Sequence, residues 1–226
     1  MSEIRENILR VMERIERAAR RVGRDSGEIN LVAVSKTVET SRIKEAIEAG
    51  VLILGENYLQ EAQKKIEEIG RSVSWHFIGH LQSNKAKYAV HLFDMIHSLD
   101  SIHLAEELNR RASLAERVMR VFIEVKLSEE VTKFGTEEET ALDLARRVIQ
   151  LDHLSLEGLM TMPPYFEVQE MSRPYFVRLR GLRERMTKEG IPVKELSMGM
   201  SNDFEIAIEE GATYLRVGTA IFGARR

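Results

Sequence analysis

The run Leu31-Val-Ala-Val-Ser-Lys36 is apolar and β-branched until it ends in a lysine. A run of this length reads as a buried strand of a parallel sheet, and alternation places Val32, Val34 and Lys36 on one face. If that face is the inside of a barrel, Lys36 is an amine at the carboxyl end of the first strand, where parallel barrels build their sites. A solvated lysine closing an ordinary strand fits the same six residues.

Working outward, Ile4, Ile8, Val11, Met12, Ile15, Ala19 and Val22 recur at helical spacing between a capping Ser2 and Gly23, which predicts a helix ahead of the first strand. After Lys36, residues 37–50 read as a helix and Val51-Leu-Ile-Leu54 as a second strand. The alternation continues with strands at 74–78, 92–98, 118–127, 156–160, 195–198 and 214–217. Helices fall at 58–69, 81–89, 102–115, 137–151, 169–188 and 202–210. Eight strands alternating with helices, with no linker or low-complexity segment, predict an α/β fold: a single (β/α)8 TIM barrel with an extra N-terminal helix, one domain over residues 1–226. An open doubly wound sheet is the alternative, and it also puts ligands at the carboxyl ends of its strands.

Composition narrows the class of function. Hydrophobic residues make up 43% and charged residues 31% of 226, which is a globular balance. A net charge of -3 argues against a general nucleic-acid binder. The absence of cysteine excludes disulfides and thiolate metal sites. Glu3, Glu6, Glu13 and Glu16 among the early arginines disfavour a secretory or transit peptide, and no apolar run approaches membrane-spanning length. A cytoplasmic protein is expected.

The predicted strand ends carry Lys36, Asn57 with Tyr58, His76 to His80, His97 with Ser98, Lys126, Met160 to Met162, Ser201 with Asn202, and Arg216 to Thr219. Leu196-Ser-Met-Gly-Met-Ser-Asn202 closes a strand in small and polar residues, where backbone N–H groups and a hydroxyl suit a phosphate. In Arg216-Val-Gly-Thr-Ala-Ile-Phe-Gly223, Gly218 admits close backbone approach and Thr219 offers N–H and hydroxyl donors. Loops after the last two strands form a recurrent phosphate site in such barrels. Each segment is equally a helix cap, with Asn202 and Glu205 spaced as a capping box. Together with an inward lysine, they describe a phosphorylated aldehyde held as a Schiff base.

Val32-Ala-Val-Ser-Lys-Thr37, Gly55-Glu-Asn-Tyr58, Trp75-His-Phe-Ile-Gly79 leading into Leu81-Gln-Ser-Asn-Lys85, Gly158-Leu-Met160, Leu196 to Ser201 and Arg216 to Gly223 resemble, in this order, the pyridoxal phosphate homeostasis protein family. The resemblance spans nearly the whole chain and implies a barrel like the amino-terminal domain of alanine racemase, with Lys36 bonded to pyridoxal 5'-phosphate (PLP). It further implies Ser201, Gly218 and Thr219 at the phosphate, Arg216 near the pyridine nitrogen and Asn57 lining the pocket. An imine forms through a neutral amine, which burial of a lysine favours. Lys126 stands where the family commonly has asparagine, and Thr132 before Lys133 replaces a common serine. Those departures put in doubt any carry-over to the end of the fifth strand, where Lys126 is read as solvated, with a second amine at the mouth as the alternative if it points inward.

Other groupings say less. His76 and His80 lie four apart without the helix and glutamate of a zinc-protease motif, and no metal is expected. Tyr58 and His80 can serve as acid or base. Met160, Met162, Met198 and Met200 read as adaptable core near the mouth. The resemblance implies a non-catalytic or barely catalytic vitamin B6 carrier that supplies PLP to apo-enzymes; the alternatives are a PLP-dependent amino-acid racemase and a cofactor-free interaction module. The chain runs only to Arg226 after the last strand, so no second domain is expected to cover the mouth, and a monomer is expected, binding neither nucleic acid nor membrane.

Overall fold

The computed structural model describes residues 2–128 and 134–224. Helix α1 (Glu3–Arg21) begins where the Ser2 hydroxyl accepts the Arg5 N–H at 3.4 Å. Glu3 and Glu6 in its first turn and Arg20 and Arg21 in its last match the helix dipole. Its inner stripe, Ile4, Ile8, Val11, Ile15, Ala18 and Ala19, is buried.

The chain then alternates as the apolar periodicity predicts: β1 (Asn30–Val34), α2 (Thr40–Glu48), β2 (Ile53–Glu56), α3 (Leu59–Ile69), β3 (Ser74–Phe77), α4 (Ala86–Leu92), β4 (Met95–Leu99), α5 (Ile102–Leu114) and β5 (Met119–Lys126). A two-residue strand β6 (Thr136–Glu137) precedes α6 (Glu138–Val148), β7 (Leu154–Met160), α7 (Arg173–Lys188), β8 (Glu195–Met200), α8 (Phe204–Glu209), β9 (Tyr214–Val217) and the short α9 (Thr219–Phe222). Eight strands pair in parallel in the order β4-β3-β2-β1-β9-β8-β7-β5, and β4 pairs with β5 to close the barrel. Closure excludes the open doubly wound sheet. Among the described residues the ninth strand, β6, pairs only along the end of β5.

Alternation decides which side chains enter the barrel. Val32, Met95, Phe122, Met160 and Tyr214 form the interior cluster, while Ala33, Leu54, Val121, Ile123 and Leu215 face the helices. Val32 lies in register with Arg216, so Arg216 shares the inner face and Lys36 stands four residues further along β1's direction. The chain turns sharply after Lys36: Thr37 has φ of 62°, and α2 begins at Thr40 and not at residue 37. Helix α8 likewise starts at Phe204, because Asp203 takes the cap position and its carboxylate accepts the Met200 N–H at 2.7 Å. The predicted capping box is absent: Asn202 bonds elsewhere, and Glu205 accepts from Arg14 Nη2 at 3.1 Å. Among the described residues no helix is long and apolar enough to cross a membrane.

Candidate functional site

A cavity of about 250 Å³ opens at the carboxyl ends of the strands. Its wall includes Lys36, Asn57, Ser201, Arg216, Gly218 and Thr219, so the six residues singled out in the sequence meet in one place. They arrive from β1, β2, β8 and β9, which are adjacent in the barrel. Val34, Ile78, Met162, Phe166 and Met200 supply the apolar part of the wall.

Lys36 is half-buried, two residues beyond the end of β1, with Val34 beneath it. Asn57 follows β2, and Gly79 lets the end of β3 lie against it: a Cβ on Gly79 would stand 2.5 Å from the Asn57 carbonyl oxygen. Asn57 Oδ1 is buried without a hydrogen-bond partner among the described residues. An uncompensated acceptor on a cavity wall calls for a donor from whatever occupies the cavity.

At the opposite end, Ser201 Oγ accepts the N–H groups of Gly218 at 3.2 Å and Ala220 at 3.3 Å. With both lone pairs engaged, the hydroxyl hydrogen is left to donate. Arg216 forms the floor. It is 3% exposed and donates through Nη1 to Ser197 Oγ at 2.6 Å and through Nη2 to the Thr161 carbonyl at 2.8 Å. Burial pulls its guanidinium down to about 10, against the opposing pull of Glu124 and Asp203, so it remains a cation at neutral pH.

Below Arg216 runs a buried chain that the sequence reading missed. Ser197 Oγ lies 2.9 Å from His97 Nδ1, His97 Nε2 lies 3.0 Å from His76 Nδ1, and His76 Nε2 lies 3.1 Å from Ser74 Oγ. Because the Ser74 hydroxyl gives its hydrogen to Asp94 Oδ2 at 3.4 Å, it accepts from His76 Nε2. With both imidazoles neutral, His97 Nε2 donates to His76 Nδ1 and Ser197 gives its hydrogen to His97 Nδ1. Burial lowers both histidines, His76 to about 3, which keeps the chain neutral.

The remaining candidates lie apart. His80 stacks on Phe134 at 3.7 Å, and its Nδ1 is 3.5 Å from Asp100 Oδ2, so His76 and His80 occupy different environments. Tyr58 is exposed, and neither it nor His80 lines the cavity. Lys126 shares the inward face of β5 with Phe122 and Glu124 but is ion-paired with Glu137 at 3.5 Å, 17% of its side chain exposed. That corrects its reading as a solvated lysine. The methionines divide: Met162 and Met200 line the cavity, Met160 fills the barrel interior and Met198 packs toward the helices. Thr132 and Lys133 lie outside the described residues.

A closed parallel barrel with an amine at the first strand end and hydroxyl and amide groups at the last two defines a class of protein, and residues 3–226 match the model of the alanine racemase N-terminal domain. The pyridoxal phosphate homeostasis protein of Aquifex aeolicus is 45% identical over 98% of each chain, and that of Escherichia coli K12 is 41% identical over 100% of this chain and 98% of its own. PipY of Synechococcus elongatus PCC7942, solved with PLP bound, superposes with a TM-score of 0.83 at 36% identity, covering 93% of this chain and all of its own. The chain belongs to the pyridoxal phosphate homeostasis protein family.

Proposed function

We propose that the chain is a PLP carrier acting in vitamin B6 homeostasis: a single barrel domain over residues 1–226 that holds the cofactor as a Schiff base on Lys36 and supplies it to apo-enzymes. The observation that carries this reading is the convergence of Lys36, Asn57, Ser201, Arg216, Gly218 and Thr219 on one cavity. PLP supplies an aldehyde for an amine to take up and a ring able to accept electrons.

The residues fit that group. Lys36 provides the amine at one wall. The Ser201 hydroxyl and the Thr219 N–H and hydroxyl offer donors for a phosphate lying over Gly218, whose own N–H is held by Ser201. The Asn57 Oδ1, unpartnered among the described residues, offers an acceptor for a ring hydroxyl. Arg216 would face the ring nitrogen. A cation there disfavours protonation of that nitrogen, because two positive charges would meet, and so keeps the ring a weak electron acceptor. That arrangement supports holding over turnover. All six residues come from one chain, which supports a monomeric carrier, and the cysteine-free composition suits a cytoplasmic one.

The test is borohydride reduction of the PLP-loaded protein followed by peptide mass spectrometry. One adduct on Lys36, lost in Lys36→Ala, is expected; an adduct on Lys126 alone, or none, overturns the reading. Incubation with single-enantiomer amino acids separates carrier from racemase: Lys36-dependent turnover well above free PLP would establish the enzyme instead.

A further inference from the structure

We propose that Glu61, Lys65 and Glu56 form a clamp that fixes the backbone on both sides of Lys36 and so aims its amine into the cavity. The inference rests on the Schiff-base reading of Lys36. None of the three residues lines the cavity, so they are positioning residues.

Lys65 projects from α3 toward the barrel wall and is 5% exposed. Its ammonium has three acceptors: the Ser35 carbonyl at 2.6 Å, Glu56 Oε1 at 2.8 Å and Glu61 Oε1 at 2.6 Å. Three acceptors match the three N–H donors of an ammonium. Glu61 Oε1 also accepts the Thr37 N–H at 2.5 Å, and Ser35 Oγ donates to Glu56 Oε1 at 2.6 Å. The peptide unit entering Lys36 is therefore gripped by its carbonyl, and the unit leaving it is gripped by its N–H. Both dihedrals of Lys36 lie between two held planes.

Two observations argue that the grip does more than stabilise the wall. Thr37 sits in the left-handed region at φ of 62°, which a β-branched residue adopts only when its surroundings impose it. The Glu61 carboxylate on its N–H is such an imposition. The cluster is also a poor choice for packing alone, since burial pushes the Glu56 carboxyl up and leaves its Oε2 without a partner among the described residues. Apolar residues would fill the same space at less cost. What they would lack is a directional hold on the two peptides.

Schiff-base formation joins Lys36 Nζ to the aldehyde carbon, and the two amine hydrogens leave with the aldehyde oxygen as water. Its rate depends on where the amine stands, whereas binding of pyridoxamine phosphate, which has no aldehyde, depends on the rest of the cavity. The experiment therefore measures both in the full chain: the rate of PLP adduct formation, by visible absorption and borohydride trapping, and pyridoxamine phosphate affinity, by calorimetry. Glu61→Ala is expected to slow adduct formation about tenfold while leaving pyridoxamine phosphate affinity within about twofold. Glu61→Gln keeps an acceptor oxygen for the Thr37 N–H and is expected to recover most of the rate. Adduct formation at the wild-type rate in Glu61→Ala, or parallel loss for both ligands, overturns the clamp. Should Glu61→Ala not fold, Glu61→Asp, whose shorter side chain misses the Thr37 N–H, is read by the same criteria. Absence of a Lys36 adduct in the wild-type protein is a different result, and it refutes the Schiff-base reading itself.

Discussion

Single residues at the strand ends decide whether the cavity has its shape. Gly79 is the sharpest case, because an added Cβ would meet backbone atoms of Asn57, the carbonyl oxygen at 2.5 Å and the Cα at 2.8 Å. Backbone cannot swing aside as a flexible side chain can. Gly79→Ala is therefore expected to cost about 2 kcal/mol in urea unfolding and to weaken PLP binding by displacing Asn57 from the wall. Lys36, Ser201, Gly218 and Thr219 were legible as an amine and phosphate donors at predicted strand ends, which one end of a parallel barrel gathers, whereas Asn57 and Arg216 were singled out from the other strand-end residues only by the family resemblance. The clamp was not legible. Glu61 and Lys65 look like an ordinary i, i+4 pair on a solvated helix face, and only the packed structure turns Lys65 inward onto Glu56 and Ser35.

Among the elements, α1 shows how a helix outside the barrel can govern the site. It packs on α2, α8 and α9, and Asn7 Nδ2 donates to the Ile221 carbonyl of α9 at 2.9 Å. Helix α9 starts at Thr219, which lines the cavity next to Gly218, so α1 braces that segment. Ile8, on the buried stripe of α1, is 4% exposed. Ile8→Ala should destabilise the protein by about 2–4 kcal/mol, with PLP restoring part of the loss in a thermal melt through preferential binding to the folded state. The helix itself was legible from its 3.6-residue apolar stripe and Ser2. Its role as a brace was not, because periodicity shows that a face is buried without showing what covers it. The starts of α2 and α8 were misplaced for a related reason: the Thr37 turn and the Asp203 carboxylate override the local helical pattern.

At the scale of the whole molecule, the barrel interior is divided. An apolar cluster of Val32, Met95, Phe122, Met160 and Tyr214 surrounds the polar chain from Arg216 through Ser197, His97 and His76 to Ser74. That chain makes stability depend on pH. Burial is the largest cause of the lowered His76 and His97 values, with nearby cations Arg120 and Arg216 adding to it. Below the ordinary histidine value of about 6.5 the unfolded chain binds protons that the folded barrel refuses, so stability falls as pH drops. For His76 the loss continues down to its folded value of about 3. Each such histidine contributes a slope of up to about 1.4 kcal/mol per pH unit inside this window and none above it. Substituting His76 by Asn removes one titrating group whatever it costs at neutral pH. Urea unfolding of His76→Asn across pH 4 to 7 should therefore show a stability slope shallower by about one proton than the wild type. An unchanged slope would mean that His76 is protonated inside the barrel. The direction of the hydrogen bonds descending from Arg216 would then have to reverse below Ser197, because a doubly protonated His76 donates from both ring nitrogens and leaves His97 Nε2 as the acceptor.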